Sequence, residues 1–165
     1  MTNLTKIIIS AVAQIVILVA LSSSASAADN NFNASMRIIS SVLSITEQQP
    51  LQFVDAIAGK NTTIVTRPAD VNAAVFSVTG IPGAAVTAGI VEKRIVMTTG
   101  DGSTAAQKIV VKGFKKGGSL NKRGRAEIGA NGTLNNMRIG ARTNVNANNV
   151  AGDYAGTATF RVVYR

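Results

Sequence analysis

Between residues 108 and 125 the chain carries Lys108, Lys112, Lys115, Lys116, Lys122, Arg123 and Arg125, spaced by Gly113, Gly117, Gly118 and Gly124, with no acid among them. The chemistry open to such a run is charge pairing: a mobile basic loop touching an anionic surface polymer such as lipopolysaccharide, extracellular DNA or an acidic glycan. The alternative is a solvated hairpin tip whose charge aids solubility. Phe114 alone interleaves the cations, which weighs against a base-stacking platform and reads more simply as a core residue closing a strand over 108–114.

Other chemistry is sparse. The 165 residues include no His, no Cys and no Trp, and 17 Lys+Arg against 8 Asp+Glu give a net charge of +9. Without His the commonest general base and metal ligand are missing, and without Cys there is no thiolate nucleophile, zinc-thiolate site or disulfide. Residues 113–118 do not form a phosphate loop, because Gly118-Ser119-Leu120 lacks the Lys-Ser/Thr that must follow its last glycine. Asp101 in Gly100-Asp101-Gly102-Ser103 has too few acidic oxygens nearby for a calcium loop and reads as a turn. The expectation is a protein that is not an enzyme and uses no cofactor or metal.

The elements that would position any site begin after an export signal. Lys6 precedes the run 7–21, apolar except for Ser10 and Gln14, and Ala25-Ser26-Ala27 then supplies a small-residue cleavage site. The run is short for a membrane anchor and no basic flank follows it. Cleavage after Ala27 removes only Lys6 among the charged groups, so a mature chain of residues 28–165 keeps 16 basic residues against 8 acids, a net charge of +8. The expected path is export through a periplasm to the cell surface or beyond, with no membrane span once the signal is removed.

The mature chain reads as strand and turn. Short apolar runs at 36–46, 51–57, 62–66, 74–79, 85–91, 94–99, 108–114, 125–130, 137–143 and 156–164 alternate with turn signals, which predicts one all-β domain, a sandwich or barrel. Gly100-Asp101-Gly102-Ser103 and Asn131-Gly132 can supply the positive φ of tight turns. Pro50, Pro68 and Pro82 fall between runs, where a missing N–H does no harm.

The two ends are the most patterned. Ala158, Phe160, Val162 and Tyr164 alternate with Thr157, Thr159, Arg161, Val163 and Arg165, which is a strand with one buried face. Phe32, Ala34, Met36 and Ile38 alternate in the same way with Asn31, Asn33, Ser35 and Arg37. That opening segment is either the domain's own first strand or an arm able to complete another molecule's sheet. Tyr154, between Gly152 and Gly156, fits a corner tyrosine whose hydroxyl bonds nearby backbone.

The tail resembles the C-terminal signature of chaperone–usher pilins: Tyr164 is penultimate, Gly152 stands fourteenth from the end, and apolar residues alternate between them. The wider pattern resembles a bacterial secreted family catalogued only as a domain of unknown function. Its L-x-F, F-x-V-x-G and G-x-Y-x-G-T motifs match Leu51-Gln52-Phe53, Phe76-Ser77-Val78-Thr79-Gly80 and Gly152-Asp153-Tyr154-Ala155-Gly156-Thr157. The resemblance implies an immunoglobulin-like β-sandwich. In its pilin form the sandwich lacks one strand, which a periplasmic chaperone lends and the next subunit's arm replaces at the usher. It further implies a donor arm over 28–38 carrying Phe32, Ala34, Met36 and Ile38, and a C-terminal groove strand carrying Gly152, Tyr154, Phe160, Val162 and Tyr164. The partners would be copies of the chain or related subunits, joined in a pilus or fimbria-like polymer for adhesion or biofilm. Many pilins carry a disulfide, and this chain has no cysteine. The alternative function is a monomeric sandwich that binds anionic ligands through the basic region 108–125.

Overall fold

The computed structural model describes Met36 and residues 42–165, and all of these except Met36 belong to the unit Ile39–Arg165. The proposed signal segment and three donor-arm positions, Phe32, Ala34 and Ile38, lie outside the described residues. The described residues form nine strands in chain order: β1 (Ser44–Gln49), β2 (Thr62–Thr66), β3 (Ala74–Thr79), β4 (Ala85–Ile90), β5 (Arg94–Thr98), β6 (Lys108–Gly118), β7 (Arg125–Glu127), β8 (Thr133–Val145) and β9 (Phe160–Tyr164). A 3-10 turn, Ala105–Gln107, precedes β6. The larger sheet has the order β1-β3-β8-β6-β5, with β2 also on β8, and the smaller has the order β7-β4-β9. All pairings are antiparallel, so the fold is the expected all-β sandwich.

Period-two patterning explains where the core sits. Ala74, Phe76 and Val78 of β3, Val86 and Ala88 of β4, and Val162 of β9 are buried, while their neighbours point outward. They meet Leu134, Met137 and Ile139 of β8, with Leu120 and Ile128 closing the ends. The Phe76 and Phe160 rings stack across the two sheets with centroids 4.1 Å apart.

β8 is longer than the expected 137–143 because both β2 and β3 use the same side of it. Thr66 pairs with Ala141 and Ala74 with Ile139, so residues 67–73 are looped out opposite Gly140. That loop rides over the sheet where side chains are missing: a β-carbon on Gly140 would lie 2.3 Å from the Thr66 carbonyl, and one on Gly117 2.6 Å from Pro68. Arg138 fastens the loop by donating to the Pro68 and Asp70 carbonyls.

The expected strand over 51–57 does not form. Its neighbour is this looped-out segment, which offers no regular edge. The contacts there are Gln52 N–H to the Asn72 carbonyl at 2.9 Å and the Thr66 hydroxyl to the Gln52 carbonyl at 2.9 Å. Among the described residues the opening strand covers Ser44–Gln49, β7 stops at Glu127, and the closing strand begins only at Phe160.

β6 runs on to Gly118 where a strand ending at Phe114 was expected, because a bulge resets its alternation. Its register against β8 shifts between Lys112 and Lys115, with Gly113 at φ 65°. Before the bulge Ile109 and Val111 face inward; after it Phe114 and Lys116 do.

Candidate functional site

β9 is the last element and the edge of the smaller sheet; among the described residues it pairs with β4 alone. Val91 N–H donates to the Thr159 carbonyl and Arg165 N–H to the Ala85 carbonyl, each at 3.0 Å. Alternation in an antiparallel ladder therefore turns the main-chain groups of Phe160, Val162 and Tyr164 away from β4, toward the outer edge. On the face at right angles, Val162 is buried and Phe160 and Tyr164 are half-buried against the core. β1 lies in the other sheet, paired with β3, so the first and last strands of the domain are not partners.

The chain reaches β9 by crossing β5. Ala155 and Thr98 exchange both backbone hydrogen bonds, at 2.8 and 3.0 Å. The glycines of the final motif permit this contact. A β-carbon on Gly156 would lie 2.7 Å from the Val96 carbonyl, and one on Gly152 2.5 Å from the Thr99 hydroxyl. Tyr154 acts as a corner tyrosine: its hydroxyl lies 2.8 Å from the Val150 carbonyl and 3.0 Å from the Ala106 carbonyl. Asn149 fastens the same corner by donating to the Ala106 and Lys108 carbonyls, each at 3.1 Å. Beneath the crossing is a cleft of about 620 Å³ lined by Leu51, Phe53, Ile64, Met97, Ile109 and Tyr154, among others. The L-x-F motif thus lines the cleft from the segment 51–58.

At the other end of β9, the F-x-V-x-G motif meets the penultimate tyrosine. The Tyr164 hydroxyl accepts the Ile81 N–H at 3.0 Å. Leu43 and Ile128 close around Gly80 from the remaining sides. Where β9 begins, the Glu92 carboxylate accepts the Thr159 N–H at 2.9 Å, and this hydrogen bond holds the Glu92 carboxyl below the usual range.

The basic residues read from the sequence do not share one loop. Lys108, Lys112, Lys115 and Lys116 are on β6, Lys122 and Arg123 are in the turn that follows, and Arg125 is on β7 of the other sheet. The bulge sends Lys116 inward, where its stem passes the places that β-carbons on Gly89 and Gly124 would occupy. Two cations outside the run join β6 instead: Arg94 pairs with Lys112, and Lys112 with Arg142. Sequence reasoning missed both, since only strand register brings them together.

Two further sequence features resolve as structure. The Asp101 carboxylate accepts the Ser103 N–H at 3.1 Å, an Asx turn that holds its carboxyl below the usual range. Sequence reasoning passed over Ser119-Leu120-Asn121-Lys122, which spells the S-x-x-K spacing of some hydrolases. It lies on a turn rather than a helix, and the Ser119 hydroxyl donates to the Asn135 carbonyl at 2.6 Å.

A family model described as a domain of unknown function, DUF4402, matches residues 43–164. The chain belongs to the DUF4402 family. The matched span opens at Leu43 and closes at Tyr164, the two residues that converge on Gly80, and it contains the three motifs described above. The DUF4402 domain therefore coincides with the sandwich. No curated protein and no solved structure matches the chain.

Proposed function

We propose that the chain is an exported, non-enzymatic structural subunit of a bacterial pilus or fimbria-like surface polymer, in adhesion or biofilm. Subunits join by strand donation to copies of themselves or to related subunits. Residues 28–38 of one subunit lie along the outer edge of β9 in the next, with Phe32, Ala34, Met36 and Ile38 directed into its interior. A periplasmic chaperone covers that edge in transit, and an usher exchanges chaperone for arm.

The single observation that supports this reading is the edge of β9. It presents the main-chain groups of Phe160, Val162 and Tyr164 outward, directly beside half-buried aromatic side chains. An added strand completes the ladder, and alternate side chains find apolar surface. Burying Phe32, Met36 and Ile38 would stabilise the joint by roughly 1.5–3 kcal/mol each. The DUF4402 match starts at residue 43, so the arm lies outside the shared domain.

Size analysis of residues 28–165 against residues 39–165 tests this. The longer protein is expected to form multimers, and the shorter to stay folded and monomeric. A synthetic peptide of residues 28–38 is then expected to bind and stabilise the shorter form. Monomers in both cases, with no effect of the peptide, would overturn the reading.

A further inference from the structure

The register of the larger sheet aligns three cations in one row. Arg94 on β5 is directly opposite Lys112 on β6, which is directly opposite Arg142 on β8. Directly paired residues project from the same face, and here it is the outer one: all three are exposed, while Val111 and Thr143, next along β6 and β8, are buried. Lys108 and Lys115 extend the charge along β6 on either side, both exposed. No Asp or Glu occurs on β2, β5, β6 or β8. Like charges directly opposite one another in a sheet destabilise it. The bulge also keeps the row in place: a β-carbon on Gly113 would lie 3.2 Å from Arg142 Nε, so the missing side chain lets Arg142 lie across β6.

The rest of the face narrows the ligand. Val96 pairs with Val110 in the next row, and Val65 pairs with Arg142, and these valines are 44%, 39% and 53% exposed. No Phe or Tyr projects from these strands on that side, since Phe114 turns inward, so bases have no ring to stack on. Beside the loop 67–73, which covers Gly117 and Gly140, the open part of this face alternates guanidinium forks with small apolar groups, and that suits a chain of carboxylate-bearing sugars. Each such ring offers a carboxylate for bidentate pairing and a C–H face for the valines.

We propose that the outer face of the larger sheet binds a linear acidic polysaccharide, with Arg94, Lys112 and Arg142 as its charge-pairing row and Val65, Val96 and Val110 as its sugar-facing strip. This surface is on the sheet that does not contain β9, so it stands apart from the strand-donation reading.

The test uses residues 28–165 with alginate as the polyuronate probe, neutral dextran as control and random-sequence duplex DNA as competitor. Alginate is expected to bind, dextran not, with affinity falling steeply between about 50 and about 200 mM salt. Arg94→Gln/Lys112→Gln/Arg142→Gln is expected to weaken alginate binding by roughly tenfold or more and to flatten its salt dependence. Removing the same charge elsewhere, with Lys122→Gln/Arg123→Gln/Arg125→Gln, is expected to change it less than about twofold. Should the first triple variant melt early, Arg94→Gln alone, on the edge strand, still tests the row through a weaker affinity and a shallower salt slope. Equal losses in the two triple variants, or no loss on changing the row, would overturn the proposal. So would tighter binding of DNA than of alginate, which would make nucleic acid the occupant.

Discussion

The hydroxyl of Tyr164 lies 2.5 Å from the point where a β-carbon on Gly80 would sit, and it accepts the N–H of Ile81, the residue after that glycine, at 3.0 Å. The penultimate residue of the chain is thus seated by a glycine eighty-odd positions earlier, and the contact joins the end of β9 to the β3–β4 connection. Gly80→Ala must displace the tyrosine, Ile128 or Leu43, and overpacking of that kind costs about 1–3 kcal/mol. Tyr164→Phe removes the acceptor of a partly buried N–H, at about 1 kcal/mol. In the double variant the lost hydroxyl relieves part of the alanine clash, so urea unfolding should show a combined loss smaller than the sum.

Phe160 links the sheets through its stack on Phe76. Phe160→Ala is expected to destabilise the fold by about 3 kcal/mol, and Phe160→Leu by less, because the leucine keeps most of the buried volume. Thermal unfolding of the two variants checks the order.

Gly113 carries the bulge that reverses the facing of β6. At φ 65°, with Arg142 over it, a β-branched residue is strained in both backbone and side chain. Gly113→Val should cost about 1–3 kcal/mol. Deleting Gly113 removes the extra residue of the bulge and leaves Phe114 and Lys116 facing inward in regular alternation with Lys112 and Lys115, so it should cost no more than the valine. Tryptophan is absent, so near-ultraviolet tyrosine signal and denaturant midpoints are the practical readouts.

Glu92 adds an acid-sensitive tie at the start of β9. Its folded carboxyl is held below the ordinary value, chiefly by the Thr159 N–H. The stability it contributes is therefore present above its unfolded pKa and is lost as pH falls through the folded one. Glu92→Gln is expected to lower stability slightly at neutral pH, and the difference from wild type should vanish in acid. A difference independent of pH would locate the effect elsewhere.

Hydrogen exchange distinguishes the two edges of β9. In residues 39–165 the amides of Arg161 and Val163, directed at β4, should exchange slowly, and those of Phe160, Val162 and Tyr164 faster. Adding the peptide of residues 28–38 should slow the second set by about tenfold or more and leave the first unchanged.

Much of the fold is legible in local pattern, for a physical reason. A strand with one face in the core must alternate, and β3, β4 and β9 each do so over five or six residues. Turns were readable where only glycine fits, as at Gly100, Gly102 and Gly132, all at positive φ. The final G-x-Y-x-G-T run was legible as a motif, although the reason for its glycines, the close passage over β5, was not.

What the sequence by itself determined was an all-β chain, poor in catalytic groups, with two alternating ends and a cluster of cations near its middle. The tertiary structure alone decided which residues face one another. A single bulge at Gly113 sent Lys116 inward, and the looped-out residues 67–73 denied the segment 51–57 a regular edge to pair with. Register set Arg94, Lys112 and Arg142 side by side from three separate strands. Alternation is a local consequence of pleating and survives in the sequence; register is a long-range pairing, set by the packing of the whole sheet, and leaves no trace in the spacing of the residues it joins.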